Sequence, residues 1–285
     1  EEEASVTDEG LRTIGLTDCR LSLFERLLSR FRTADGYDPR FVYMLTRQGR
    51  MHSQIADFPS LAFYSHKLQP VPLPHQTAPL QTTTSTHGIA RMLTTHRLAF
   101  VCSERPTQIA SPKTNDVEAR MIASIAYQAY LLCGDHFDTE QSIGIIVPYR
   151  NQISAIRNAI DQYGISELHN ISIDTVERFQ GSQRDYIIYG FTIQQRWQLN
   201  FLSSNTFKEE GAWIDRKLNV AMTRARLQLT LVGNPQLLAH NTTFSQLMQY
   251  SRSQGAFLQV DTERFCRGDF EVQSRPDGLS AAQEE

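Results

Sequence analysis

The sequence predicts an α/β domain built on a mostly parallel sheet with helices on both faces. Three observations carry this prediction. Ile143-Gly144-Ile145-Ile146-Val147 is a continuous apolar run rather than an alternating one, as in strands buried on both faces. Helical patterns alternate with such runs along the chain, which is the signature of strand–helix–strand units. Of 285 residues, 40 % are hydrophobic and 21 % charged, enough apolar chain for one large core and too much for global disorder.

The elements follow in order. Leu21, Phe24, Leu27, Leu28 and Phe31 recur at helical spacing, and Asp35-Gly36 closes that helix. Phe41 to Leu45 reads as a strand, and residues 46–60 as a polar loop. Residues 66–97 are rich in Pro, Thr and His without periodicity and read as a surface insertion. Leu98 to Cys102 is a strand. Asn115 or Asp116 caps a helix with Val117, Met121, Ile122, Ile125, Ala129 and Leu132 on its apolar face, closed by Gly134. After the strand at 143–147 comes a helix at 151–163, with Ile153, Ile156 and Ile160 inward and Gly164 beyond it. Strands at Ile171 to Val176 and Tyr186 to Phe191, a helix at 213–225 and a strand at Leu227 to Val232 continue the alternation. Short helices near 235–239 and 243–252 complete it, and residues 273–285 read as a loose tail.

Composition narrows the function classes. A net charge of −3 excludes a uniformly basic nucleic-acid binder and leaves room for a local basic patch. No apolar run reaches the roughly 18 residues of a membrane helix, and the acidic opening Glu1-Glu2-Glu3 has no signal-peptide pattern, so the expected location is cytoplasmic, nucleoid or nuclear, with no membrane partner. The absence of an initiator Met suggests a fragment or a processed chain. Cys19, Cys102, Cys133 and Cys266 are scattered and form no CxxC pair, so they read as buried apolar residues in a reducing compartment. His66, His75, His87 and His96 are irregularly spaced and read as solvated loop histidines rather than metal ligands.

Ligands of open parallel sheets bind beyond the carboxyl ends of strands. The loops at 46–53, 147–151 and 175–184 and the helix at 215–226 are therefore the segments expected to carry chemistry. They hold Arg50, Arg150 and Arg224, and a planar guanidinium grips two phosphate oxygens at once. Gly181 lets backbone N–H groups approach a ligand. Tyr149 and Phe179 are candidates for stacking on a base, although Phe179 reads more naturally as core.

In this order, Gln48-Gly49-Arg50-Met51-His52, Gly144 to Arg150, Thr175 to Asp185 and Leu218-Asn219-Val220-Ala221-Met222-Thr223-Arg224-Ala225-Arg226 resemble elements of the second RecA-like domain of superfamily 1 helicases, in the up-frameshift-like 5′-to-3′ RNA and DNA group. The resemblance covers about residues 16–235. It implies a RecA-like, P-loop NTPase-type three-layer domain over 16–252 with a loop insertion at 66–97. Residues 1–15 would then be an acidic frayed head or the end of an inter-domain linker, and 253–285 a C-terminal extension and tail.

The resemblance also implies a split ATP site. Arg224 matches the family's arginine finger and Arg50 a second γ-phosphate contact. Gln180, Gly181 and Gln183 match positions that bind nucleotide or couple it to nucleic acid. Thr175, Pro148, Tyr149, Arg150 and His52 match the side that holds a strand of DNA or RNA. ATP with Mg2+ is the implied cofactor, held mainly by an N-terminal RecA-like domain of the same parent chain, and single-stranded DNA or RNA is the implied partner.

The sequence departs from the family at Gly49 (an aromatic there), Gln183 (Glu), Val147 (Thr) and Ser53 (Pro). It has no G-x-x-x-x-G-K-[ST] phosphate loop and no strand ending in Asp-Glu. The expectation is a C-terminal motor half that does not hydrolyse ATP alone. The alternative is an ATPase-dead RecA-like module that binds nucleic acid or protein.

Overall fold

The computed structural model describes residues 5–19, 22–34, 36–204, 206–209 and 212–274. Leu21, Asp35, the Glu1-Glu2-Glu3 opening and residues 275–285 of the expected tail lie outside these. The chain divides into two units, residues 1–45 and residues 46–285.

In the first unit, α1 (Glu9–Thr13) is capped by Asp8, whose carboxylate accepts from the Leu11 N–H at 2.8 Å. Helix α2 (Leu23–Arg30) starts at a reciprocal capping box, in which Ser22 accepts from the Glu25 N–H and Glu25 accepts from the Ser22 N–H. Strands β1 (Arg32–Thr33) and β2 (Gly36–Tyr37) form a two-residue antiparallel ladder. The expected strand at Phe41 to Leu45 does not form. Strands need a pairing edge; this segment pairs with none among the described residues, and the Phe41 ring stacks on Phe31 at 4.4 Å.

The second unit begins with β3 (Arg47–Gln48), α3 (Ser53–Phe63) and β4 (Gln69–Pro70), with β3 and β4 paired in parallel. Helix α3 takes the second half of the stretch expected as a polar loop over 46–60, while residues 49–52 remain irregular. The helix carries Pro59 in its interior, and Ile55, Phe58, Pro59 and Phe63 are all buried, so tertiary packing outweighs the cost of the proline. Likewise α4 (Gly88–Thr95) emerges from the supposedly irregular 66–97 stretch, because Ile89, Ala90, Met92 and Leu93 form a buried face.

Strand β5 (Leu98–Cys102) leads into α5 (Asp116–Cys133), whose cap is Asn115: its side chain accepts from the Glu118 N–H. The helix ends at Gly134, with φ at +51°. Strand β6 (Ile143–Val147), α6 (Arg150–Asp161), α7 (Ser166–His169), β7 (Ser172–Thr175) and β8 (Arg184–Gly190) follow. Helix α8 (Leu199–Leu202) and an antiparallel pair, β9 (Thr206–Glu209) and β10 (Ala212–Asp215), come next, so residues 213–215 are strand where helix was expected. Asp215 then caps α9 (Arg216–Met222), and β11 (Ala225–Gly233), α10 (Pro235–Leu238), α11 (Thr242–Ser253), β12 (Phe257–Leu258) and α12 (Thr262–Arg267) complete the unit.

The central sheet has the order β12-β5-β11-β8-β6-β7, with every pairing parallel. Alternate residues of each strand serve two cores. Leu98, Phe100, Ile146, Ile187, Tyr189, Leu229 and Leu231 meet Ile55, Phe58, Leu218, Met222, Phe244 and Leu247 of α3, α9 and α11. Ala99, Val101, Ile143, Ile145, Ile188 and Val232 meet Ile89, Met121, Ile122, Ile156 and Phe265 of α4, α5, α6 and α12. The result is a three-layer α/β domain around a six-stranded parallel sheet, as expected for a RecA-like domain.

Two smaller expectations change. Only His66 of the four loop histidines is exposed. His75 bonds the Arg50 carbonyl, His96 is buried against the Gln273 carbonyl, and His87 is partly buried. Cys102 is buried, whereas Cys19 is exposed.

Candidate functional site

All six strands run the same way, so their amino ends share one edge of the sheet and their carboxyl ends the other. The candidate residues separate between these edges. Strands β7 and β8 are parallel, so the connection at 176–183 must return from the carboxyl edge to the amino edge. It starts near Thr175 and delivers Gln183 to the first residue of β8. The segment after α9 delivers Arg224 to the first residue of β11 in the same way. The expectation that every chemical loop lies at the carboxyl edge is therefore not met: Arg150 is at that edge, and Arg50 and Arg224 are at the other.

At the amino edge, Arg50, Gln183 and Arg224 come together. Arg50 donates from Nε to Gln183 Oε1 at 3.0 Å and from one terminal nitrogen to the Thr223 carbonyl at 2.9 Å. Arg224 donates from Nε to the Val220 carbonyl at 3.0 Å, and from its terminal nitrogens to the Ser182 carbonyl at 3.4 Å and Thr223 Oγ1 at 3.2 Å. The Arg184 N–H donates to the Arg224 carbonyl at 3.1 Å, locking the β8 entry to the β11 entry. Neither guanidinium has a carboxylate partner among the described residues. Burial, and then the like charge of Arg50, lower the pKa of Arg224. Two guanidiniums held side by side by neutral acceptors have the chemistry to take an anion, because a guanidinium pairs more strongly with an ionised oxygen than with a neutral carbonyl.

The segment that carries Arg50 is rigid for a local reason. Gln48 Oε1 accepts from the N–H groups of Arg50 and Met51 at 2.9 and 2.7 Å, and its Nε2 donates to the Met51 carbonyl at 2.9 Å. Gln76, fully buried, donates to the carbonyls of Gln48 and Met51. His52 is 4 % exposed and serves the fold. Its Nδ1 accepts from the Gln54 N–H at the head of α3, so Nε2 carries the proton and donates to the Ala78 carbonyl at 3.1 Å. Its own N–H donates to the Arg226 carbonyl at 2.8 Å, tying this segment to β11.

The turn at 175–184 is built on Phe179, which is buried as the core reading expects. The Thr175 carbonyl accepts from the N–H groups of Arg178 and Phe179, and Ser182 closes on the Phe179 carbonyl. Gly144 of β6 makes room beneath it: a Cβ there would lie 2.8 Å from the Phe179 ring and 2.7 Å from Arg184. Gln180 and Gly181 are exposed at the tip, with Gly181 at φ +88°.

At the carboxyl edge, Pro148, Tyr149 and Arg150 follow β6 and Thr175 ends β7. Arg150 is exposed and Thr175 largely buried. Tyr149 is 8 % exposed, its ring stacked on Phe201 at 5.0 Å and its hydroxyl bonded by Gln198. Neither Tyr149 nor Phe179 presents a free ring face to solvent as a base-stacking role would require.

Glu118 has no place in the sequence-level site. It is fully buried between the carboxyl ends of β5 and β8, accepting from the Ser103 hydroxyl at 3.1 Å and the Thr192 N–H at 2.7 Å. Burial raises its pKa to about 8. Its position three residues after the Asn115 cap resembles a capping-box acid, which disguises its long-range bond. Among the described residues no group of three or more His, Cys, Asp or Glu side chains could hold a metal ion, and no helix is long and apolar enough to cross a membrane.

Comparisons with known proteins bear on this geometry. The AAA domain family matches residues 19–236. A probable helicase of Dictyostelium discoideum is 30% identical over 85% of this chain and 22% of its own length. The ATP-dependent helicase NAM7 of Saccharomyces cerevisiae is 29% identical over 93% of this chain and 24% of its own. The putative helicase MOV-10 of Gallus gallus is 27% identical over 83% of this chain and 25% of its own. The chain thus spans about a quarter of the length of these curated relatives. With the family matched over residues 19–236, the chain belongs to the AAA domain family, as a helicase-type domain of the up-frameshift-like group.

Proposed function

We propose that this chain is the C-terminal motor domain of an ATP-dependent DNA or RNA helicase. In this reading it supplies the arginine finger and part of the strand grip for ATP-driven translocation and unwinding. The observation that carries the reading is the pair of guanidiniums, Arg50 and Arg224, held together at the amino edge with no carboxylate between them. Phosphoryl transfer places negative charge on the γ-phosphate oxygens, and a preorganised arginine stabilises that charge by about 10³- to 10⁵-fold in rate.

Arg224 is the finger and Arg50 the second γ-phosphate contact. Gln183 orients Arg50 through its Nε. Gln180 and Gly181 lie on the turn that joins the two edges, so a nucleotide contact at one end is felt at Thr175 on the other. Thr175, Pro148 and Arg150 hold the backbone of single-stranded DNA or RNA, and His52 and Tyr149 support these segments from inside. The donors here fit the terminal phosphate and not a metal. Mg2+ and the inner phosphates are assigned to an N-terminal RecA-like domain of the parent chain.

The test is ATP hydrolysis by the parent protein, with and without single-stranded oligonucleotide, for wild type and Arg224→Ala. The expected outcome is stimulation by the oligonucleotide in wild type and a loss of about 10³-fold in kcat in the variant. Absence of hydrolysis in wild type with oligonucleotide binding intact would replace this reading with a RecA-like binding module.

A further inference from the structure

With the Tyr149 and Phe179 rings committed to the fold, the carboxyl edge still displays Trp197, an exposed ring that stacks on no other ring among the described residues. Trp197 is 55% exposed on a turn between β8 and α8. The turn is not loose. Gln194, which is buried, donates from its amide to the carbonyls of Ser111 and Thr114 at 2.9 and 2.7 Å. Gln198, also buried, accepts from the N–H groups of Gln194 and Gln195 at 2.9 and 3.0 Å, and donates to the Pro112 carbonyl at 2.6 Å and the Tyr149 hydroxyl at 3.3 Å. The indole N–H of Trp197 donates to Gln195 Oε1, which fixes the ring without covering it.

The neighbouring ring is already used. Phe201 is stacked by Tyr149, and Lys217 lies 4.3 Å from its centroid. Trp197 has no ring or cation partner among the described residues. Two arginines share this edge. Arg196 precedes it, and Arg150 follows the Tyr149 against which the turn is clamped; both are exposed and neither has an ion pair among the described residues. An anchored, exposed indole on an edge that also carries unpaired guanidiniums complements an unstacked base and its phosphates.

We infer that Trp197 is a base-stacking platform for single-stranded nucleic acid, with Arg196 and Arg150 on the flanking phosphates. The inference rests on the helicase reading and extends its strand path from Thr175 and Arg150 across the carboxyl ends of β6 and β8. Every base has a π-face, so the platform is blind to sequence.

The test uses the protein with oligonucleotides carrying 5-iodouridine, photo-cross-linked and mapped by mass spectrometry, alongside anisotropy titrations of wild type, Trp197→Ala and Trp197→Phe. Stacking predicts a cross-link at Trp197, affinity about tenfold weaker in Trp197→Ala, and near-wild-type affinity in Trp197→Phe. Oligonucleotide binding that is unchanged in Trp197→Ala, with cross-links only elsewhere, overturns the platform and leaves the helicase reading standing. No oligonucleotide binding by wild type at low salt overturns both, and points to a protein partner for this face.

Discussion

Arg50 and Arg224 hold two positive charges close together with neutral acceptors between them. Their guanidiniums share the Thr223 residue as a partner, and burial and Arg50 both work against the charge on Arg224. An anion that bridges them relieves the repulsion. Thermal denaturation of the wild type should therefore shift upward with added ATP, and the shift should shrink in Arg50→Ala and Arg224→Ala. Gly181 shows a different kind of residue-level demand. Nothing lies within 4 Å of where its Cβ would be, so space does not explain it; its φ of +88° does. Gly181→Ala should cost about 1–2 kcal/mol, measured by urea denaturation, and Gly181→Asn should recover part of that loss because Asn tolerates positive φ better.

At the scale of elements, the turn at 175–184 depends on a strand that is distant in sequence. Phe179 and the Arg184 stem occupy the place where a side chain on Gly144 would stand. Gly144→Ala should lower stability by about 1–3 kcal/mol through overpacking, visible as a lower urea midpoint. It should also weaken oligonucleotide stimulation of hydrolysis, because the displaced turn carries Gln180, Gly181 and Gln183. A loss of stability with stimulation unchanged would show that the turn does not couple the two edges.

For the molecule as a whole, Glu118 makes stability depend on pH. The folded protein raises its pKa from 4.5 to about 8, chiefly by burial, against the opposing bonds from Thr192 and Ser103. The native state thus holds this proton more tightly than the unfolded chain does. The stabilisation is complete below the unfolded pKa of 4.5 and is lost as pH rises through about 8. Asp215, raised to about 6 mainly by burial, adds in the same direction over a narrower window. Urea denaturation should therefore show unfolding free energy falling between about pH 5 and about pH 8. Glu118→Gln, which keeps an oxygen acceptor and carries no ionisable proton, should flatten much of that slope; an unchanged slope would remove Glu118 as its source.

The α/β class and the strands β5, β6, β8 and β11 are legible in the chain because strands buried on both faces leave largely apolar runs, as at 143–147, and the edge strand β7 is legible from its alternating residues. The α5 ends are legible because Asn115 and Gly134 are local cap chemistry. Arg50, Gln183 and Arg224 are legible as candidates because their segments carry distinctive residue patterns. Other features depend on partners far along the chain. Helix α3 is not legible in a stretch read as a polar loop; it forms because Phe58 and Phe63 are buried in the core. The 41–45 run meets no pairing edge and stays irregular. The separation of Arg150 from Arg50 and Arg224 follows from strand order and direction, which no local pattern encodes. The same holds for the buried His52, the Tyr149–Phe201 stack and the raised pKa of Glu118. For α3, His52, the Tyr149–Phe201 stack and Glu118 the deciding energy is burial or a contact between segments tens of residues apart, and only the assembled tertiary structure brings those segments together.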